Sequence, residues 1–212
     1  MNETREKLIQ GTIDTLRDKG IAGTSARVVA AAAGVNQALV FYHFGTVDEL
    51  IDAACREGAA ERVAVYRKQF EAVGSLRELL ALGRTLNETE RTAGNVAVLA
   101  QVLAGAQQDR NLAAAAHHAL ALWIGEIETA LVRLLTGSPI AEVVDAAGMA
   151  RGIAASFIGI ELYEGVDPAG ADLALTALEA LGVLVEVVED LGPVARRALR
   201  ARLRRTQRSS KA

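Results

Sequence analysis

Apolar residues recur at helical spacing along nearly all of this 212-residue chain, and no alternating pattern lasts long enough to make a sheet. Leu8, Ile9, Ile13 and Leu16 predict a first helix over residues 4–19, which Gly20 stops. Thr24 or Ser25 can cap a second helix, with Val28, Val29 and Ala33 on its apolar face and Gly34 at its end. Val35 then lies in a turn, and Asn36 can cap a third short helix that reaches about Phe44 before Gly45 breaks it. Thr46-Val47-Asp48-Glu49 has the spacing of a capping box. It opens a fourth helix through Leu50, Ile51, Ala54 and Val63 to about Phe70.

Beyond Gly74 the segments lengthen. Helices are predicted over about 75–89, 91–106, 110–136, 140–164, 170–190 and 194–206, and the prolines at 139, 168 and 193 fall near their boundaries. The expected fold is all-α. A unit of three short helices occupies residues 1–47, a helical bundle residues 48–206, and a basic disordered tail residues 207–212.

Composition sharpens that picture. Hydrophobic residues make up 51% of the chain but aromatics only 4%, so the interior is built mainly from Ala, Leu and Val. Ala and Leu are strong helix formers. A single cysteine, Cys55, excludes an internal disulfide and fits a reducing, cytoplasmic setting. The charged start MNETREKLIQ lacks the apolar stretch of a signal peptide, and no apolar run is long enough to cross a bilayer, so no membrane partner is expected.

Charge is unevenly spread. The net charge is −3, yet residues 193–212 hold eight Lys/Arg and no acid. Residues 1–50 hold five basic and six acidic groups, so overall charge gives nucleic-acid binding no support there. The basic end reads as a solvated helix terminus, with nonspecific attraction to DNA as the sharper alternative.

Geometry argues differently. Residues 24–50, TSARVVAAAAGVNQALVFYHFGTVDEL, contain a helix, a Gly-bearing turn and a second short helix. That is the helix-turn-helix arrangement, whose second helix enters the DNA major groove. The longer run REKLIQGTIDTLRDKGIAGTSARVVAAAAGVNQALVFYHFGTVDELIDA, residues 5–53, resembles the TetR family of transcriptional regulators.

The resemblance implies a DNA-binding regulator, acting as a homodimer on double-stranded operator DNA and repressing until a small molecule releases it. It places Thr24, Arg27, Asn36, Gln37, Ala38, Leu39, Tyr42 and His43 at the DNA. Gln37 is the best base reader, because a carboxamide can bond adenine N6 and N7 together. Phe41 and Phe44 are expected in the core. The family usually has tyrosine where Phe41 stands and lysine where Val47 stands. Residues 20–47 carry one Arg and no other formal charge, which predicts few ionic phosphate contacts and a shallow salt dependence. A helix-turn-helix that acts through protein contacts without specific DNA binding is the alternative.

The segment ARGIAASFIGIELYEGVDPAGADLALTALEAL resembles the family's dimer-forming last helices. Gly152, Ala155, Ser156 and Gly159 are small enough for close helix approach, and Leu178 and Leu181 add apolar surface. Among so many alanines, bulky residues can leave a cavity, so Trp123 and Phe157, with His117, Gln101 and Glu128 as polar groups, are expected to meet the ligand. His117 and His118 are adjacent and so point to different helix faces, which disfavours one metal; one is expected in solvent and the other lining the bundle. Cys55 is expected to be an inert thiol. No GxxxxGK[ST] occurs and no acid–base set converges, so no catalytic residue, metal or cofactor is expected, and the chain does not read as an enzyme.

Overall fold

The computed structural model describes residues 3–210, and its described residues are helical with no strand, as the periodicity predicts. The helices are α1 (Glu3–Lys19), α2 (Ala26–Ala32), α3 (Ala38–Phe44), α4 (Val47–Ala72), α5 (Leu76–Thr92), α6 (Asn95–Ala106), α7 (Arg110–Leu135), α8 (Ala146–Glu164), α9 (Pro168–Glu189) and α10 (Pro193–Ser210).

Local chemistry accounts for the main departures from expectation. Residues 140–145 do not open a long helix. A 3-10 turn covers Ile140–Glu142, and Asp145 caps α8 by accepting from the Gly148 N–H at 2.7 Å. At the other end α10 continues to Ser210, so residues 207–210, expected to be disordered, are helical. No Gly or Pro interrupts this Ala-, Leu- and Arg-rich run. Lys211 and Ala212 of the expected tail lie outside the described residues.

The chain divides into two compact units. The first comprises Met1–Val65 and Glu88–Trp123. Its first core cluster joins Leu8 of α1, Ala26, Val29 and Ala30 of α2, Val40 of α3 and Leu50 of α4. A second cluster, of Ile51, Val102, Leu112 and Ala116, takes in Ile21 and Cys55 at its edge. Here α6 grips the end of α1: the Ile21 N–H donates to Gln101 Oε1 at 3.2 Å, and Arg17 Nη2 donates to Asn95 Oδ1 at 3.3 Å. Gly20 sits there at φ +70, with the Gln101 carboxamide pressed against its α-carbon.

The second unit comprises Tyr66–Asn87 and Ile124–Ala212. Arg84 of α5 reaches Glu179 (2.7 Å) and Asp172 (2.5 Å) of α9, and donates to Thr176 Oγ1 as well. Close packing supplements these ions. The Phe157 ring of α8 rests directly on Gly83, and at Gly182 a β-carbon would stand 2.7 Å from the Arg77 α-carbon. Arg133 donates to the carbonyls of Phe70 and Val73, satisfying the C-terminal end of α4.

Candidate nucleic-acid interface

Short helices of seven residues are marginal by themselves, so α2 and α3 depend on their caps and on packing. Ser25, not Thr24, caps α2: its Oγ accepts from the Val28 N–H at 3.4 Å, while the Thr24 hydroxyl donates to the Gly20 carbonyl. The other end of α2 closes in a Schellman motif. Gly34 at φ +65 donates to Ala31 O, and Val35 donates to Ala30 O. Val35 then packs on the first core cluster. Asn36 Oδ1 accepts from Ala38 N at 2.8 Å, which fixes the entry into α3.

The capping box at the start of α4 forms in both directions. Glu49 N–H donates to Thr46 Oγ1 at 3.1 Å, and Thr46 N–H donates to Glu49 Oε2 at 3.0 Å. The turn between α3 and α4 is thereby held by Thr46 and Glu49.

Packing then decides which face of α3 meets solvent. Val40 is fully buried, with Leu39 and Phe44 packed beside it. Leu39, implied as a DNA contact, therefore turns inward. Asn36, Gln37, Ala38, Phe41 and Tyr42 are exposed. Phe41 was expected in the core but is 49% exposed, because Leu39, Val40 and Phe44 already occupy the inner face. Tyr42 is 80% exposed, and its ring stands edge-on to His43 at 4.9 Å. His43 is half-buried, and Arg27 is exposed on α2. A shallow cleft of about 480 Å³ beside Arg27 is lined also by Asp14, Thr15, Asp18 and Lys19 of α1. Those two carboxylates weaken the local positive potential.

The residues implied as ligand contacts have other partners or exposures. Gln101 spends its carbonyl on Ile21, and Glu128 faces Arg151 at 3.8 Å. His117 and His118 are both exposed, so neither lines an interior; His118 Nδ1 lies 3.3 Å from Asp52 Oδ1. Trp123 and Phe157 are half-buried. Sequence reading missed Asn87, a polar residue on the buried side of α5 whose Oδ1 accepts no hydrogen bond although the residue is 4% exposed. The signal for it was helical spacing, since Asn87 falls eight positions after Leu79 and seven after Leu80.

Among the implied dimer residues, Gly152, Ala155, Ser156, Gly159 and Leu181 are exposed and Leu178 is half-buried. Leu173, Leu184 and Val187 extend the same apolar exposure along α9. Cys55 is protonated at neutral pH: burial first, and then the Asp52 charge, push its thiol up to about 11. No group of three or more metal-ligating side chains occurs among the described residues, and no described helix is long and apolar enough to cross a membrane.

Comparison with known proteins bears on the same segment. Residues 8–54 match the family model for bacterial regulatory proteins of the tetR family. The HTH-type transcriptional regulator Mb3439c of Mycobacterium bovis and the HTH-type transcriptional repressor Rv3405c of Mycobacterium tuberculosis are each 30% identical over 148 residues, covering 64% of this chain and 78% of theirs. Among solved structures, a TetR-family transcriptional regulator from Rhodococcus sp. aligns with a TM-score of 0.71 at 24% identity, over 89% of this chain and 99% of that one. FadR of Bacillus subtilis in complex with stearoyl-CoA aligns with a TM-score of 0.68 at 14% identity, over 82% of this chain and 96% of that one.

Proposed function

The chain belongs to the TetR family and carries its DNA-binding helix-turn-helix, and from that premise we propose that it is a homodimeric repressor released from its operator by a small molecule. The observation that carries this reading is the solvent face of α3. Gln37, Ala38, Phe41 and Tyr42 stand out from a helix anchored on Val40, on a unit stiffened by a Schellman turn and a reciprocal capping box.

Each role follows from placement. Gln37 bonds a base edge. Tyr42 and His43, with Arg27 at the start of α2, serve the phosphates; Thr24 keeps the turn before α2 in place through its bond to Gly20. Asn36 and Ala38 shape the approach of α3, Asn36 through its cap and Ala38 by its small size.

One recognition helix contacts too few base pairs for useful specificity, so two copies act together on half-sites about 34–36 Å apart. The exposed small and apolar residues of α8 and α9 support that pairing, since an apolar face of this kind is costly to leave in water. The domain roles follow: residues 1–47 bind DNA, residues 48–206 hold ligand and partner, and the basic end adds charge.

A ligand in the second unit meets Phe157 and a hydrogen-bond acceptor at Asn87. FadR shows that a related fold holds an acyl thioester, and this supports a small molecule as effector here without naming it. Coupling of about 1–3 kcal/mol between ligand and operator is enough for release. A mobility-shift titration on DNA flanking the gene, with sedimentation of the free protein, tests the reading. A dimer that shifts a specific duplex is expected, with Gln37→Ala relaxing base choice at one position and Leu181→Glu abolishing both dimer and shift. A monomer without affinity for any duplex refutes it and returns the chain to a protein-contact role.

A further inference from the structure

We infer that Phe41 is a second base-reading residue, which packs its ring on the C5-methyl group of a thymine close to the base pair read by Gln37. The inference rests on the proposed docking of α3 in the major groove and deepens it.

Three observations lead there. First, the Phe41 ring is half in solvent on a helix whose inner face is already filled by Leu39, Val40 and Phe44. Second, Phe41 follows Gln37 by four residues, and Gln37 has helical backbone angles (φ −54, ψ −34). The two side chains therefore leave one face about 5–6 Å apart at their β-carbons. Base pairs stack about 3.4 Å apart, so the two reach neighbouring or next-but-one pairs. Ala38 between them raises nothing beyond its methyl to hold the ring off the groove floor.

Third, the chemistry of the ring leaves one partner. A phenyl group has no donor or acceptor for a phosphate oxygen. Among the major-groove edges only thymine offers an apolar group. The adjacent Tyr42 keeps a hydroxyl and is oriented by its edge contact with His43, so the two neighbouring aromatics divide the work. Tyr42 faces the backbone and Phe41 the base. With Arg27 the one charged side chain in residues 20–47, this apolar contact carries a larger share of discrimination than it would on a basic surface.

The test uses the full-length protein and duplexes that it enriches from a random pool at low salt. Each thymine of the enriched half-site is replaced in turn by deoxyuridine, which removes only the methyl group. At one thymine within two base pairs of the position relaxed by Gln37→Ala, deoxyuridine is expected to weaken wild-type binding about three- to fivefold, the worth of one buried methyl. The same replacement should leave Phe41→Ala unaffected, and Phe41→Leu should keep part of the discrimination. A circular-dichroism melt checks that the variants fold. Silent deoxyuridine positions, or an equal loss in wild type and Phe41→Ala, overturn the inference while α3 docking stands. Failure to enrich any duplex sinks both together.

Discussion

Arg5 and Glu57 lock α1 to α4 by a two-pronged ion pair, with Arg5 Nη1 donating to Glu57 Oε2 at 2.8 Å and Nη2 to Oε1. The same guanidinium lies 5.2 Å over the ring of Phe44, the last residue of α3. One side chain thus ties α4 to the end of α3. The hydrogen bond from Arg5 holds the Glu57 carboxyl below its ordinary value of 4.5.

Arg5→Ala should destabilise the protein by about 1 kcal/mol, since the pair is one-third exposed and its gain is screened. The pH dependence has a defined sign. A carboxyl whose folded value is depressed contributes stability that is complete above pH 4.5 and lost as pH falls through the folded value. Urea unfolding of wild type and Arg5→Ala should therefore differ more at pH 7 than in acid below that value. An equal difference at both pH values would show that the loss is packing alone.

Thr46→Ala removes the side-chain half of the α4 cap. It should cost about 1 kcal/mol and lower the melting temperature. Amide exchange should speed up at Glu49, whose N–H donates to the Thr46 hydroxyl. Thr46→Ser should retain both properties.

Two glycine substitutions should have opposite signs. At Gly182 an added β-carbon meets the Arg77 α-carbon at 2.7 Å and its backbone N at 3.0 Å, and backbone cannot rotate aside. Gly182→Ala should destabilise by about 1–2 kcal/mol once overpacking is set against better helix propensity. Gly125 in α7 has open space around it, so Gly125→Ala should stabilise by up to about 1 kcal/mol. Thermal melts of the two variants read both signs.

Cys55 should be slow towards thiol reagents. With its thiol near 11, only about one molecule in a thousand is thiolate at pH 8 even before burial limits access. Ellman's reagent should react with the native protein far more slowly than with the urea-unfolded chain. Rapid native reaction would mean that the α4 surface opens more readily than its packing against Ile51 and Leu112 suggests.

The pattern of residues alone determined that this chain is helical, where its first four helices begin and end, and that a helix-turn-helix lies in residues 24–50. Those features are local: a capping box, a glycine in the left-handed region and 3.6-residue periodicity act within a few positions of each other. Tertiary packing decided the rest. Phe41 and Phe44 are alike in sequence, yet one is exposed and the other packs on the core, because Leu39 and Val40 fill the inner face and Arg5 arrives from 39 residues away to cover Phe44. Gln101 reads as a free polar group until the fold brings Ile21 to it from 80 residues upstream. Periodicity finds which residues share a helix face, but which face is buried is set by distant elements that no local pattern encodes.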